Sequence, residues 1–99
     1  MVKHTLHLDN VFHALADPTR REILLRIASS KNLSVSEIAR PYDMSLPAIS
    51  KHLRVLESAR LIQRKQRGKE YIFTFTPEPL TTVEAYLAFY TKFLNGSRD

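Results

Sequence analysis

The spacing of apolar residues changes period part-way along the chain. Val11, Phe12 and Leu15 recur at helical spacing after Asp9-Asn10, which predicts a first helix over 9–16. Asp17-Pro18 reads as a cap followed by a first-turn proline, whose missing N–H has no helical partner to lose. Ile23, Leu24, Ile27 and Ala28 then share one face of a second helix. Ser34-Val35-Ser36-Glu37 has capping-box spacing and opens a short helix through Ile38 and Ala39, which should fail at Pro41-Tyr42-Asp43. Ser45 caps a fourth helix running to about Ser58. Beyond it the period becomes two. Residues 61–66 and 71–76 read as strands around Arg67-Gly68-Lys69-Glu70, with Tyr71, Phe73 and Phe75 alternating with Ile72, Thr74 and Thr76. Pro77 and Pro79 end the hairpin, and a last helix runs through Leu94 to a stop at Gly96.

Four helices, a hairpin and a fifth helix make a mainly α chain with a small β-hairpin, the layout of a winged helix-turn-helix. No repeat, low-complexity run or Gly/Ser linker divides the 99 residues. They read as one domain, 1–99, with core and wing over 9–76 and a C-terminal dimerisation helix over 79–95. A chain this short leaves much apolar surface uncovered when folded alone. With no cysteine it has neither disulfides nor thiolate–metal staples to compensate, so a partner subunit is the expected supplement. Val83, Tyr86, Leu87, Tyr90, Phe93 and Leu94 recur every three or four residues on the last helix, and Phe89 lies off that stripe. Leu8, Val11 and Phe12 are their companions on the first helix. Together they form the expected homodimer interface, with folding back on the chain's own core as the alternative that accounts for some of them but not all. The apolar runs fall far short of the roughly 20 residues that span a bilayer. MVKHTLHLDN lacks the apolar stretch of a secretory signal. The expectation is a cytoplasmic protein with no membrane partner.

Charge sharpens the picture. The net +5 lies entirely between Ser45 and Tyr71, where seven basic residues (Lys51, Arg54, Arg60, Arg64, Lys65, Arg67, Lys69) meet only Glu57 and Glu70. A concentrated positive field on a neutral body suits a polyanion, because each neutralised phosphate releases counterions. At roughly 100° per residue, Ile49, Leu53 and Leu56 form a narrow apolar stripe on the Ser45 helix. Pro47, Ser50, Lys51, Arg54 and Ser58 fall on the opposite side. Serines at the helix start, Ser45 and Ser50, can approach phosphate closely, and Lys51 and Arg54 are long enough to reach base edges in a major groove. His52 flanks the stripe, where packing and phosphate contact are equally open. Arg64, Lys65, Arg67 and Lys69 surround the hairpin tip, as expected of a wing lying along the phosphate backbone or the minor groove. Charged residues there also protect an exposed edge strand.

Enzymatic readings find no support. Gly68 and Gly96 are the only glycines, so there is no glycine-rich phosphate cradle, and Ser50 and His52 point to different faces of one helix. A winged helix used for protein–protein or RNA contact is the alternative function, which a neutral or acidic outer face would have favoured.

Ala14-Leu15-Ala16-Asp17-Pro18-Thr19-Arg20-Arg21-Glu22-Ile23-Leu24 resembles the opening signature of the ArsR-type (arsenic-repressor family) bacterial transcription regulators. Leu33-Ser34-Val35-Ser36-Glu37-Ile38-Ala39 is similar to the family's scaffold helix, and 44–56, Met-Ser-Leu-Pro-Ala-Ile-Ser-Lys-His-Leu-Arg-Val-Leu, resembles its recognition segment. With the basic wing the resemblance covers about residues 10 to 76. It implies a homodimeric winged helix that binds double-stranded operator DNA and usually represses, with the first and last helices as the dimer interface. The family's scaffold-helix metal site takes a Cys-x-Cys pair, where this chain has Ser34 and Ser36, and serine is a poor ligand for soft metals. The family's last-helix site takes Asp and His pairs, and the last helix here has no histidine. The chain is thus expected to belong to the metal-independent branch, with no cofactor and with repression that follows either protein level or an inducer. His4, His7 and His13 near the first helix read as solvated or interface residues, with a cross-subunit metal site as the alternative.

Overall fold

In the computed structural model, which describes residues 2–96, the chain opens with helix α1 (Val2–Leu15). Neither proline nor glycine interrupts that stretch, so the helix begins well ahead of the expected start, and Asp9 and Asn10 lie exposed within it. Asp17 turns the corner. Its carboxylate accepts the Arg20 backbone N–H at 2.9 Å, and Pro18 begins helix α2 (Pro18–Ser29). The two arginines that follow reach back to the end of α1. Arg20 donates to the carbonyls of Ala14 and His13, both at 2.9 Å, and Arg21 donates to that of Leu15 at 2.6 Å. Carbonyls at a helix C-terminus lack intrahelical partners and carry partial negative charge, so guanidinium groups suit them.

Strand β1 (Leu33–Ser34) leads directly into the five-residue helix α3 (Val35–Ala39). The capping box is fully formed: the Glu37 N–H donates to Ser34 Oγ at 3.2 Å, and the Ser34 N–H donates to Glu37 Oε1 at 2.8 Å. A helix of one and a half turns is too short to hold itself. Arg26 supports it from α2, donating to the carbonyls of Glu37 and Ile38, both at 2.8 Å, with its guanidinium 5.5 Å from the centre of the Tyr42 ring.

Helix α4 (Leu46–Ser58) starts at Ser45, whose Oγ accepts the Ala48 N–H at 3.3 Å. It ends in a Schellman arrangement, with the Leu61 N–H on the Leu56 carbonyl and the Arg60 N–H on that of Glu57. Arg60 holds the left-handed position at φ +60°, where glycine is usual. Strands β2 (Ile62–Arg67) and β3 (Glu70–Phe75) form the hairpin, each within one residue of the sequence expectation. The two-residue loop between them places Gly68 at φ +65°. β3 lies between β2 and β1 in an antiparallel three-stranded sheet, with Leu33 opposite Phe73. Helix α5 (Leu80–Thr91) follows, continued by a 3₁₀ turn over Lys92–Asn95 to Gly96 at φ +76°.

The core lies where α2, α3 and α4 meet the base of the sheet. Ile23, Ile27, Ile38, Ile49, Leu56 and Leu61 are wholly buried there. Burying each such side chain contributes roughly 1.5–3 kcal/mol. Val11 and Ala14 of α1 complete this cluster. α5 buries no residue completely. The molecule measures 54 × 27 × 22 Å, with a radius of gyration of 15.7 Å. About 12.6 Å is usual for a compact chain of this length. Among the described residues no helix is long and apolar enough to cross a membrane.

Candidate nucleic-acid interface

The N-terminal cap at Ser45 fixes where α4 begins, and its apolar stripe fixes which way it faces. Ile49, Leu53 and Leu56 are buried, and Pro47, Lys51, Arg54 and Ser58 are exposed on the other side, with Ser50 half-buried. This is the arrangement the angular reading gave. Ser45 is exposed, but its Oγ is engaged in capping, so what it offers an anion is the helix terminus rather than a free hydroxyl.

His52, open at the sequence level to packing or to phosphate contact, turns toward the protein body. Its Nδ1 lies 3.9 Å from Asp17 Oδ2, and its side chain is one-fifth exposed. It packs toward the α2 cap because its position beside the apolar stripe faces the protein body. Asp17 is held below the usual carboxylate range, first by the Arg20 backbone N–H, with the charges of Arg20 and His52 adding to it.

The hairpin divides the four expected wing residues. Cross-strand partners share a face, so Arg64, opposite Phe73, projects on the side of the core and α4. Lys65 and Arg67, opposite Ile72 and Glu70, project on the reverse side, and Lys69 stands at the tip. All four are exposed. Arg64 Nε is 3.4 Å from Glu57 Oε2, and its guanidinium carbon is 4.7 Å from the centre of the Tyr71 ring. Strand alternation carried the signal for this division.

Sequence reasoning also passed over Leu46. It is the first residue of α4 and is 58% exposed, adding an apolar group to the polar face. On the family's metal positions, Ser34 is 5% exposed and committed to the capping box. Its backbone N–H is the chief cause of the lowered pKa of Glu37. Among the described residues no group of three His, Cys, Asp or Glu side chains converges on a point. The His4 side chain lies outside the described residues.

The expected interface residues also divide. Val11 is fully buried in the chain's own core and is corrected to a packing residue, because helical spacing turns it inward with Ala14. Val83 packs partly against the same core, and Leu8 is half-buried. Phe12, Tyr86, Leu87, Tyr90 and Phe93 are exposed, as are Phe89 and Leu94. Phe12, Tyr86 and Tyr90 form an edge-to-face ladder with centroid spacings of 5.8 and 5.3 Å.

A helix-turn-helix domain family model matches residues 15–64. The chain is 39% identical to the HTH-type transcriptional regulator Rv2034 of Mycobacterium tuberculosis, over 89% of this chain and 82% of that protein. It is 31% identical to the transcriptional repressor SdpR of Bacillus subtilis, over 93% of this chain and 99% of that one. A crystal structure of an ArsR family transcriptional regulator matches with a TM-score of 0.84 at 38% identity, covering 95% of this chain and 96% of the other.

Proposed function

The chain belongs to the ArsR-type winged helix-turn-helix transcriptional regulators, which bind DNA, and on that premise we propose a homodimeric repressor acting on an inverted-repeat operator. The observation that carries the reading is α4, which buries Ile49, Leu53 and Leu56 while turning Lys51 and Arg54 outward beside a basic hairpin. Lys51 and Arg54 read base edges, and Lys65, Arg67 and Lys69 engage phosphates.

The dimer reading rests on the exposed aromatic face of α5 with Phe12. Seven large apolar side chains in a neighbourhood this small form a patch that a monomer rarely leaves in water. A two-fold axis through that patch would set two α4 helices on one side of a duplex, for half-sites about 34 Å apart. Repression follows from operator occupancy, a role that the name of the Bacillus subtilis relative supports. The cytoplasm is the compartment this reading requires, and catalysis has no part in it.

Gel shift against the DNA upstream of the chain's own coding sequence, with excess nonspecific duplex, tests the reading. A shifted band that survives competitor is expected; retardation of all duplexes alike contradicts an operator. Sedimentation tests the dimer, which Tyr90→Glu combined with Phe93→Glu, both exposed on the stripe of the last helix, should dissociate.

A further inference from the structure

Arg64 lies within the basic window yet does not stand free. Its guanidinium joins three elements: Glu57 Oε2 of α4 lies 3.4 Å from its Nε, its own strand is β2, and the Tyr71 ring of β3 lies 4.7 Å from its central carbon. These residues line a cleft of about 410 Å³ between α4 and the sheet, together with Ser50 and Arg54. Glu57, the only acid on α4, sits on the last turn with its side chain 24% exposed.

We propose that Arg64 is a positioning residue, a clasp between Glu57 and Tyr71 that sets the wing against the recognition helix, with its charge facing the Glu57 carboxylate rather than a phosphate. The proposal rests on the DNA-binding reading. An exposed ion pair adds little to stability, so what the clasp supplies is geometry. A hairpin joined to its domain only at the base swings, and one tied to α4 delivers Lys65, Arg67 and Lys69 to a backbone at a fixed offset from Lys51 and Arg54. A cation already facing a carboxylate releases few counterions when a duplex arrives, whereas a free one changes the slope of log K against log salt by about 0.9.

The test is salt titration of operator and non-operator binding by the full chain, with amide hydrogen exchange of the DNA-free protein. Arg64→Ala should leave the salt slope at the wild-type value while lowering the operator to non-operator ratio several-fold. Lys65→Ala should make the slope shallower by about 0.9. Glu57→Gln, close to isosteric, frees Arg64: the slope should steepen by about 0.9, non-operator binding should tighten, and the ratio should fall. In both clasp variants the β2–β3 amides should exchange faster without DNA.

If Arg64→Ala and Lys65→Ala flatten the slope alike, Arg64 is a phosphate contact and the proposal fails. It also fails if Glu57→Gln changes neither slope nor ratio, or if hairpin exchange stays at the wild-type rate. Should Arg64→Ala not fold, Glu57→Gln carries the test alone. Failure of the DNA-binding reading has a different signature, in which wild type shows no salt-dependent affinity for any duplex while the exchange measurement still reports on the clasp.

Discussion

Replacing Arg26 by Met keeps most of the side-chain stem and removes the fork that holds α3. Two carbonyls lose their donor, those of Ile38 and Glu37, each 2.8 Å from a guanidinium nitrogen. The bond to Ile38 is partly buried, and a hydrogen bond to a charged group of that kind contributes about 1.5–3 kcal/mol. The Glu37 carbonyl is exposed and regains water, so its share is small. Loss of the contact over Tyr42, at 5.5 Å, adds about 0.5 kcal/mol. The total is about 2–3 kcal/mol, a large share of the roughly 5–15 kcal/mol that stabilises a typical domain. Urea unfolding at fixed protomer concentration should show a midpoint lower by about 1–2 M. Operator affinity should fall with it, because α3 braces α4. Arg26→Lys should recover less than half of the loss, since an ammonium is a single point donor and the site takes a planar fork. A wild-type midpoint for Arg26→Met would refute the reasoning.

Three further outcomes follow from the geometry. Asp17 and Glu37 both have lowered pKa values, so their contribution to stability is complete above the usual carboxylate range and is lost as pH falls through those lowered values. Asp17→Asn and Glu37→Gln should therefore flatten the fall in Tm between about pH 5 and pH 3, read by circular dichroism. Arg60→Gly relieves a left-handed backbone and should raise stability by about 0.5–1 kcal/mol, measured by urea unfolding. Leu46 is suited to pack on a thymine methyl, so deoxyuridine substituted at the contacted base should weaken the wild type several-fold and leave Leu46→Ala unaffected.

Local chemistry made much of this fold legible. Asp17-Pro18, the Ser34–Glu37 box and Ser45 each announce a helix start through side chains adjacent in sequence, and those starts stand where expected. The apolar stripe on α4 gave its orientation, since three buried positions suffice to orient a helix. What was not legible depends on partners distant in the chain. β1 is two residues long, too short for any period, and exists because Leu33 and Ser34 meet Phe73 and Ile72. Arg26 reaches carbonyls eleven and twelve positions away, and Arg20 and Arg21 reach back across the first corner. Composition therefore counts them only as charge. Val11 belongs to a stripe shared by core and surface, and only tertiary packing separates it from Phe12.

The central claim is that α4 presents Lys51 and Arg54 to a duplex groove. Its most direct test is the affinity of Arg54→Ala and Lys51→Ala for the operator and for single-base operator variants at one salt concentration. Each variant should lose about 1–3 kcal/mol on the operator and lose discrimination at one base position, with far less change on random duplex. Unchanged affinity and unchanged discrimination in both variants would contradict the account.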